Sequence, residues 1–107
     1  MTRKATQKEY SFQRQVIAFA ALHGWRTAHF RPGMNRRGEW QTAVQGDGSG
    51  FPDLILIRER VVWAELKSET GVVSGEQRVW IDALVRAGQE VYVWRPSDWA
   101  EIEEVLG

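Results

Sequence analysis

The stretch PDLILIRERVVWAELK, residues 52–67, holds two short apolar runs, Leu54–Ile57 and Val61–Ala64, separated by Arg58-Glu59-Arg60. Both runs are rich in β-favouring residues, and a charged three-residue turn suits a hairpin between them. Side chains alternate along a strand, so Glu65 and Lys67 share one face while Leu66 points into the core. Pairing the two strands sets Asp53 beside Glu65, with Lys67 two residues further on. Two carboxylates and an ammonium are therefore expected to converge at one end of the hairpin.

Upstream, Phe12, Val16, Phe19 and Ala20 follow helical spacing between about Lys8 and His23. Gly24 then stands where such a helix would stop. Trp25 to Phe30 reads as a first strand. Residues 31–50 include Pro32, Gly33, Gly38, Gly46, Gly48 and Gly50 with little apolar periodicity, and are expected to form one long flexible loop. Downstream, Ser74-Gly75-Glu76-Gln77 has capping-box spacing and opens a helix with the stripe Trp80, Ala83, Leu84 and Ala87, closed at Gly88. Val91–Trp94 alternates little, which predicts a strand buried on both faces. A short last helix starts near Ser97 or Asp98 and buries Trp99, Ile102 and Leu106. The order α-β-β-β-α-β-α predicts an α/β fold, a mixed central sheet flanked by helices.

Phosphodiester hydrolysis needs a nucleophilic water, neutralisation of charge on the phosphorane and help for the leaving oxygen. A Mg²⁺ held by carboxylates acts as a Lewis acid and lowers the pKa of bound water. It takes few protein oxygens, so Asp53 and Glu65 suffice as ligands, with the Leu66 backbone carbonyl as a further oxygen. Lys67 would orient the attacking water or stabilise the developing negative charge. The competing reading makes Asp53 a turn residue and Glu65–Lys67 an exposed same-face ion pair, which contributes little. Spacing, a glycine-rich approach and two apolar runs together favour the site.

Glu9 and Gln13 lie one turn apart on the first helix, on the flank of its apolar stripe. Glu9 either reaches the metal from there or is an acid favoured by the helix dipole. Gln77 is the reciprocal half of the capping box, or it reaches the phosphate or metal-bound water; the two roles are compatible. His29 ends the first strand, where a lone histidine is more often packed or on the surface than catalytic. Trp63, Trp80, Trp94 and Trp99 are most simply core, while Trp40 in the polar loop is placed to stack on a base or lie against a partner chain.

At 107 residues the chain is expected to be one domain, 1–107, with residues 1–8 a basic tail. Its net charge is zero but unevenly placed: residues 1–38 carry eight basic side chains and one acid, Glu9, a surplus of seven. Such an asymmetry suits a surface that follows a phosphate backbone, or a solvated tail with scattered charge. Lys8, His29, Arg31, Arg36, Arg37 and Ser68 are the candidates for DNA contacts. The absence of cysteine excludes disulfides and thiolate zinc sites and fits a cytoplasmic location. No stretch is apolar enough to span a membrane, the basic start is not a secretory signal, and no organic cofactor is expected.

Gly50-Phe51-Pro52-Asp53-Leu54, Ala64-Glu65-Leu66-Lys67-Ser68, Ser74-Gly75-Glu76-Gln77 and Gly88-Gln89-Glu90-Val91 resemble the VRR-NUC domain, the virus-type replication-repair nuclease module of the PD-(D/E)XK nuclease superfamily. Glu9-Tyr10-Ser11-Phe12-Gln13 and Gly24-Trp25, with His29, look like its opening helix and first strand. The likeness spans roughly residues 9 to 106. It implies a restriction-endonuclease-like core, dependence on Mg²⁺ with Mn²⁺ as a substitute, and DNA as substrate. It further implies metal binding by Asp53 and Glu65, catalysis by Lys67, and support from Glu9 and Gln77. Stand-alone members, typically from phages and bacteria, look like homodimers acting on branched DNA such as four-way (Holliday) junctions, so bacterial or phage-infected cytoplasm is the expected setting. The segment from Gly33 to Gly50 is longer and richer in glycine than the usual approach to Pro-Asp, and it is the place where substrate choice would be set. Other readings are a DNA-binding module without useful catalysis and a sequence-specific restriction-type endonuclease.

Overall fold

The paired strands of the 52–67 segment are β4 (Leu54–Ile57) and β5 (Val61–Leu66), antiparallel, with Leu54 opposite Ala64 and Leu56 opposite Val62. The computed structural model describes residues 7–30, 33–34, 40–41, 46 and 48–107, with the side chains of residues 7–9, 33–34 and 40–41 outside that description. Most of the basic tail, the guanidinium groups of Arg31, Arg36 and Arg37, and the indole of Trp40 therefore lie outside the described residues.

β1 (Arg26–His29) flanks β4 antiparallel and β6 (Glu90–Trp94) flanks β5 parallel, giving a mixed sheet in the order β1-β4-β5-β6. A parallel pair needs a crossover connection, and helix α2 (Gly75–Arg86) supplies it between β5 and β6. Helix α1 (Gln7–Leu22) precedes the sheet, and α3 (Trp99–Leu106) follows a 3₁₀ turn at Pro96–Asp98. Phe12, Val16 and Ala20 of α1 meet Leu54, Leu56, Val62, Ala64 and Leu66 of the sheet, with Ile102 and Leu106 of α3 and Trp94. Burying a valine or phenylalanine contributes roughly 1.5–3 kcal/mol, so α1 is held by this stripe more than by its own propensity. The helix stops where expected: Gly24 sits at φ +84, the left-handed region that glycine enters freely.

The structure departs from the sequence expectations in three places. The 31–50 segment is not one unbroken loop: β2 (Gly33–Met34) and β3 (Trp40–Gln41) pair antiparallel as a separate ribbon. Two residues per strand leave no periodicity to read. β6 is not buried on both faces but is an edge strand, half-buried from Glu90 to Val93 and sealed only at Trp94. Trp63, Trp80 and Trp99 are half-buried, whereas Trp25 is buried. Trp63 and Trp80 lie around Phe51, at ring distances of 5.8 and 4.9 Å. Among the described residues no helix is long and apolar enough to cross a membrane.

The Arg-Glu-Arg turn fastens three chain segments. Trp25 Nε1 donates to Leu106 O at 2.8 Å, and the Arg58 guanidinium lies 4.5 Å over the Trp25 ring. Arg58 Nη1 donates to His23 O at 2.9 Å and Arg60 Nη2 to Val105 O at 2.9 Å, so both cations serve helix-terminal carbonyls. Arg60 Nε also donates to Glu90 Oε1 at 2.8 Å, and Tyr92 Oη donates to Glu90 Oε2 at 2.6 Å.

Burial, and then the bond to Glu90, push the Tyr92 phenol up to about 12. Burial alone would raise the Glu90 carboxyl, but hydrogen bonds from Tyr92 and Arg60 hold it below its ordinary value. A phenol whose pKa folding raises contributes stability that is complete below the unfolded value of about 10 and is lost as pH climbs through the folded value. Unfolding free energy is expected to fall between about pH 10 and about pH 12, and Tyr92→Phe to remove that part of the slope. Denaturant titrations of both chains across this range decide it; identical slopes would exclude Tyr92 as the cause.

Candidate active site

Hydrophobic alternation on β5 sends Val62, Ala64 and Leu66 to the α1–α3 side and leaves Glu65 and Lys67 on the side of α2. The ladder that pairs Leu54 with Ala64 would, one step further, set Asp53 across from Glu65. Asp53 is fixed twice. Its carbonyl accepts from Phe30 N at 2.8 Å, and its carboxylate Oδ2 accepts from Leu66 N at 2.9 Å. Lys67 Nζ stands 3.7 Å from Glu65 Oε2. Asp53, Glu65 and Lys67 are 8%, 1% and 4% exposed, so the exposed-ion-pair reading of Glu65 and Lys67 does not hold.

Gln77 closes the capping box and turns its amide nitrogen to Glu65. Its backbone N donates to Ser74 Oγ at 3.1 Å and its Oε1 accepts from Ser74 N at 2.9 Å, closing the capping box of α2. That leaves the amide nitrogen facing the sheet, where Nε2 donates to Glu65 Oε2 at 2.7 Å. The helix cap and the buried carboxylate thus share one side chain.

A second contact locks α2 to the loop before Asp53. Gly50 adopts φ +82, and a methyl group there would lie 2.4 Å from Glu76 C and 2.6 Å from Gln77 N. Ser49 Oγ hydrogen-bonds to the Glu76 carboxylate beside it. Only glycine permits this approach, in both conformation and volume. Composition marked Gly50 as loop, and the contact with α2 is visible only in three dimensions.

The remaining sequence candidates are placed as follows. The Leu66 side chain is core, and its amide serves Asp53. Ser68 is half-buried, its carbonyl accepting from Arg95 Nη1 at 2.5 Å. His29 is exposed and pairs with Leu54, which places it on the α1 face rather than with Glu65 and Lys67. Gln13 is buried at 4% on α1. The side chains of Lys8 and Glu9, like Arg31, Arg36 and Arg37, lie outside the described residues. Among the described residues no group of three or more acidic, histidine or cysteine side chains is poised around a metal. The Asp53 carboxylate, just before β4, and the Glu65 carboxylate, on β5, are oxygen donors only, which suits a hard divalent cation rather than a soft one.

A family model for the VRR-NUC domain matches residues 5–98, most of the chain, and takes in the Pro-Asp turn, the Glu65–Lys67 strand end and the Gln77 cap. The chain belongs to the VRR-NUC family. No curated protein and no solved structure matches it significantly. As a VRR-NUC domain it is of a nuclease family, with DNA as the substrate class.

In this VRR-NUC domain, Gly50→Ala should destabilise the fold by about 2–4 kcal/mol, through strain and backbone collision together. Gly46→Ala is the comparison, because Gly46 also has positive φ (+68) but has nothing within 4 Å of a methyl group. Thermal melts are expected to place Gly50→Ala lower than Gly46→Ala by roughly 10 °C. Equal melting temperatures would mean that the Gly50–α2 contact is not tight.

Proposed function

We propose that this VRR-NUC domain is a metal-dependent DNA endonuclease selective for branched DNA such as four-way junctions, acting as a homodimer. The observation that carries the reading is the burial of Asp53, Glu65 and Lys67 together at one end of the β4–β5 hairpin, with Lys67 Nζ 3.7 Å from Glu65. An isolated buried charge pair is weak as a stabilising device, because desolvation offsets most of its attraction. A site that handles anionic phosphate is a better reason to keep these groups inside.

Asp53 and Glu65 would hold Mg²⁺ or Mn²⁺, with the Leu66 carbonyl and Glu9 as further candidate oxygens. When bound, the ion supplies Lewis acidity toward the phosphate and lowers the pKa of water. Lys67 stabilises negative charge that develops on the phosphate oxygens and orients the attacking water. Gln77 holds the Glu65 carboxylate in one rotamer, so that the donor pair is preorganised before substrate arrives. Dimerisation presents two equivalent sites about a two-fold axis, which suits paired incisions across a junction. Lys8, His29, Arg31, Arg36, Arg37 and Ser68 are the proposed DNA contacts. A cytoplasmic setting, bacterial or phage-infected, goes with DNA as substrate.

The test is cleavage of end-labelled four-way junction, flap, duplex and single-stranded DNA with Mg²⁺, Mn²⁺ or EDTA. Cuts near the junction are expected with either metal and none with EDTA, and Asp53→Asn or Lys67→Ala should lower the rate at least about 1,000-fold while DNA binding persists. Activity that survives both substitutions would sink the assignment. Reversing Arg36 and Arg37 to Glu should weaken binding and flatten its dependence on salt, since each phosphate contact contributes a slope of about −0.9. Binding that keeps its salt slope would place the DNA surface elsewhere.

A further inference from the structure

Lys67 is sealed from solvent, and part of that seal is a turn held from a distance. After β5 the chain doubles back over residues 68–71, with Gly71 N donating to Ser68 O at 3.2 Å. A methyl group at Gly71 would lie 3.5 Å from Lys67 Cδ, in ordinary contact, and 3.1 Å from Ser68 Oγ, so Gly71 faces the Lys67 stem across about the width of a methyl group. The carbonyls of this turn converge on one cation. Arg95 Nη1 donates to Ser68 O at 2.5 Å and Gly71 O at 2.6 Å, with a longer contact to Glu69 O at 3.4 Å. The Glu69 carboxylate accepts from Ser97 N at 2.6 Å and Ser97 Oγ at 2.9 Å. Lys67 N donates to Trp94 O at 2.9 Å, which ties the start of the turn to the end of β6.

We propose that Arg95 is a positioning residue for Lys67: it closes the 68–71 turn on the lysine stem and so fixes the ammonium beside Glu65. The proposal rests on the catalytic role given to Lys67 above. A lysine stem has four rotatable bonds and pays heavily in entropy when confined, so a wall is needed to hold it. The 68–71 turn is that wall, and its place is set by the two carbonyls that Arg95 grips. Guanidinium suits the task because one terminal nitrogen, Nη1, carries two hydrogens for the two short bonds, and the group keeps its charge. Arg95 touches neither substrate nor reacting atoms in this scheme, and acts only through the turn.

The sequence contains three lysines, Lys4, Lys8 and Lys67, so selective ¹³C labelling of lysine isolates the side chain in question. Lys67 is identified as the Cε signal missing from Lys67→Ala. In the full chain that signal is expected to be separate from the other two, with the relaxation of an ordered side chain. Arg95→Gln should move it toward the position and relaxation of a free, solvent-exposed lysine, and should lower kcat on cleaved DNA about 10- to 100-fold with little change in KM. Arg95→Lys, which keeps the charge on a shorter side chain without the planar Nη1 donor, should fall between. An unmoved Lys67 signal in a folded variant overturns the proposal, whatever happens to the rate; so does a moved signal with wild-type kcat. Should Arg95→Gln fail to fold, Arg95→Lys carries the same comparison. A wild-type chain that cuts no DNA defeats the catalytic reading of Lys67 instead, and the signal comparison then decides the Arg95 contact by itself.

Discussion

The pairing of Leu54 with Ala64 is the constraint on which the rest of the site depends. A slip of one residue would turn Glu65 and Lys67 into the core and Leu66 out of it. What prevents the slip is hydrophobic: Leu54, Leu56, Val62, Ala64 and Leu66 all lie on the α1–α3 side and cannot leave it together. Apolar burial on one face thus dictates where charge sits on the other. The charged groups do not stabilise their own arrangement so much as tolerate it, because the desolvation cost of Glu65 and Lys67 is offset by close hydrogen bonds and an opposite charge.

Much of this was legible in the sequence because it follows from period and punctuation. Strand alternation placed Glu65 and Lys67 together, helical spacing placed α1, and Ser74 with Gln77 marked the start of α2, whose buried residue is Ile81 while Ala83 and Ala87 of the expected stripe are exposed. The errors came where local pattern carries no information. β6 has the apolar run of an interior strand, yet sheet order puts it at an edge, and order is set by the crossover rather than by the strand's own residues. The two-residue strands of the ribbon are too short to show a period. Trp25 looked like the opening of a strand; its burial depends on Leu106, 81 positions away. The sequence leaves two roles open to Gln77 because nothing local says what faces its amide. Arg95 gives no signal in the sequence for the same reason: its partners are carbonyls, which every residue has.

Helix α2 joins two tasks that are often separate. It is the crossover that makes β5 and β6 parallel neighbours, and its first turn is the ceiling over the carboxylates. Gln77 lets one amide satisfy the helix cap with its oxygen and the site with its nitrogen. Gly50 presses the Pro-Asp loop onto the same turn. The Asp53 loop and the Glu65 strand are thereby referred to a common rigid body, although each belongs to a different stretch of chain.

The small ribbon of β2 and β3 sits between two strands that pair with each other, β1 and β4. Phe30 N and Asp53 O close its base at 2.8 Å, and Ser49 and Gly50 are held on α2, so the excursion from this neck ends before Ser49. The entropy of closing a loop grows only with the logarithm of its length, about 0.6 kcal/mol for each doubling. Lineages could therefore lengthen, shorten or replace this excursion at little thermodynamic cost, leaving the neck and every contact from Gly50 onward in place. The fold separates a part open to evolutionary experiment from a part that is not, bounded by the Phe30–Asp53 hydrogen bond on one side and the contact of Ser49 and Gly50 with α2 on the other.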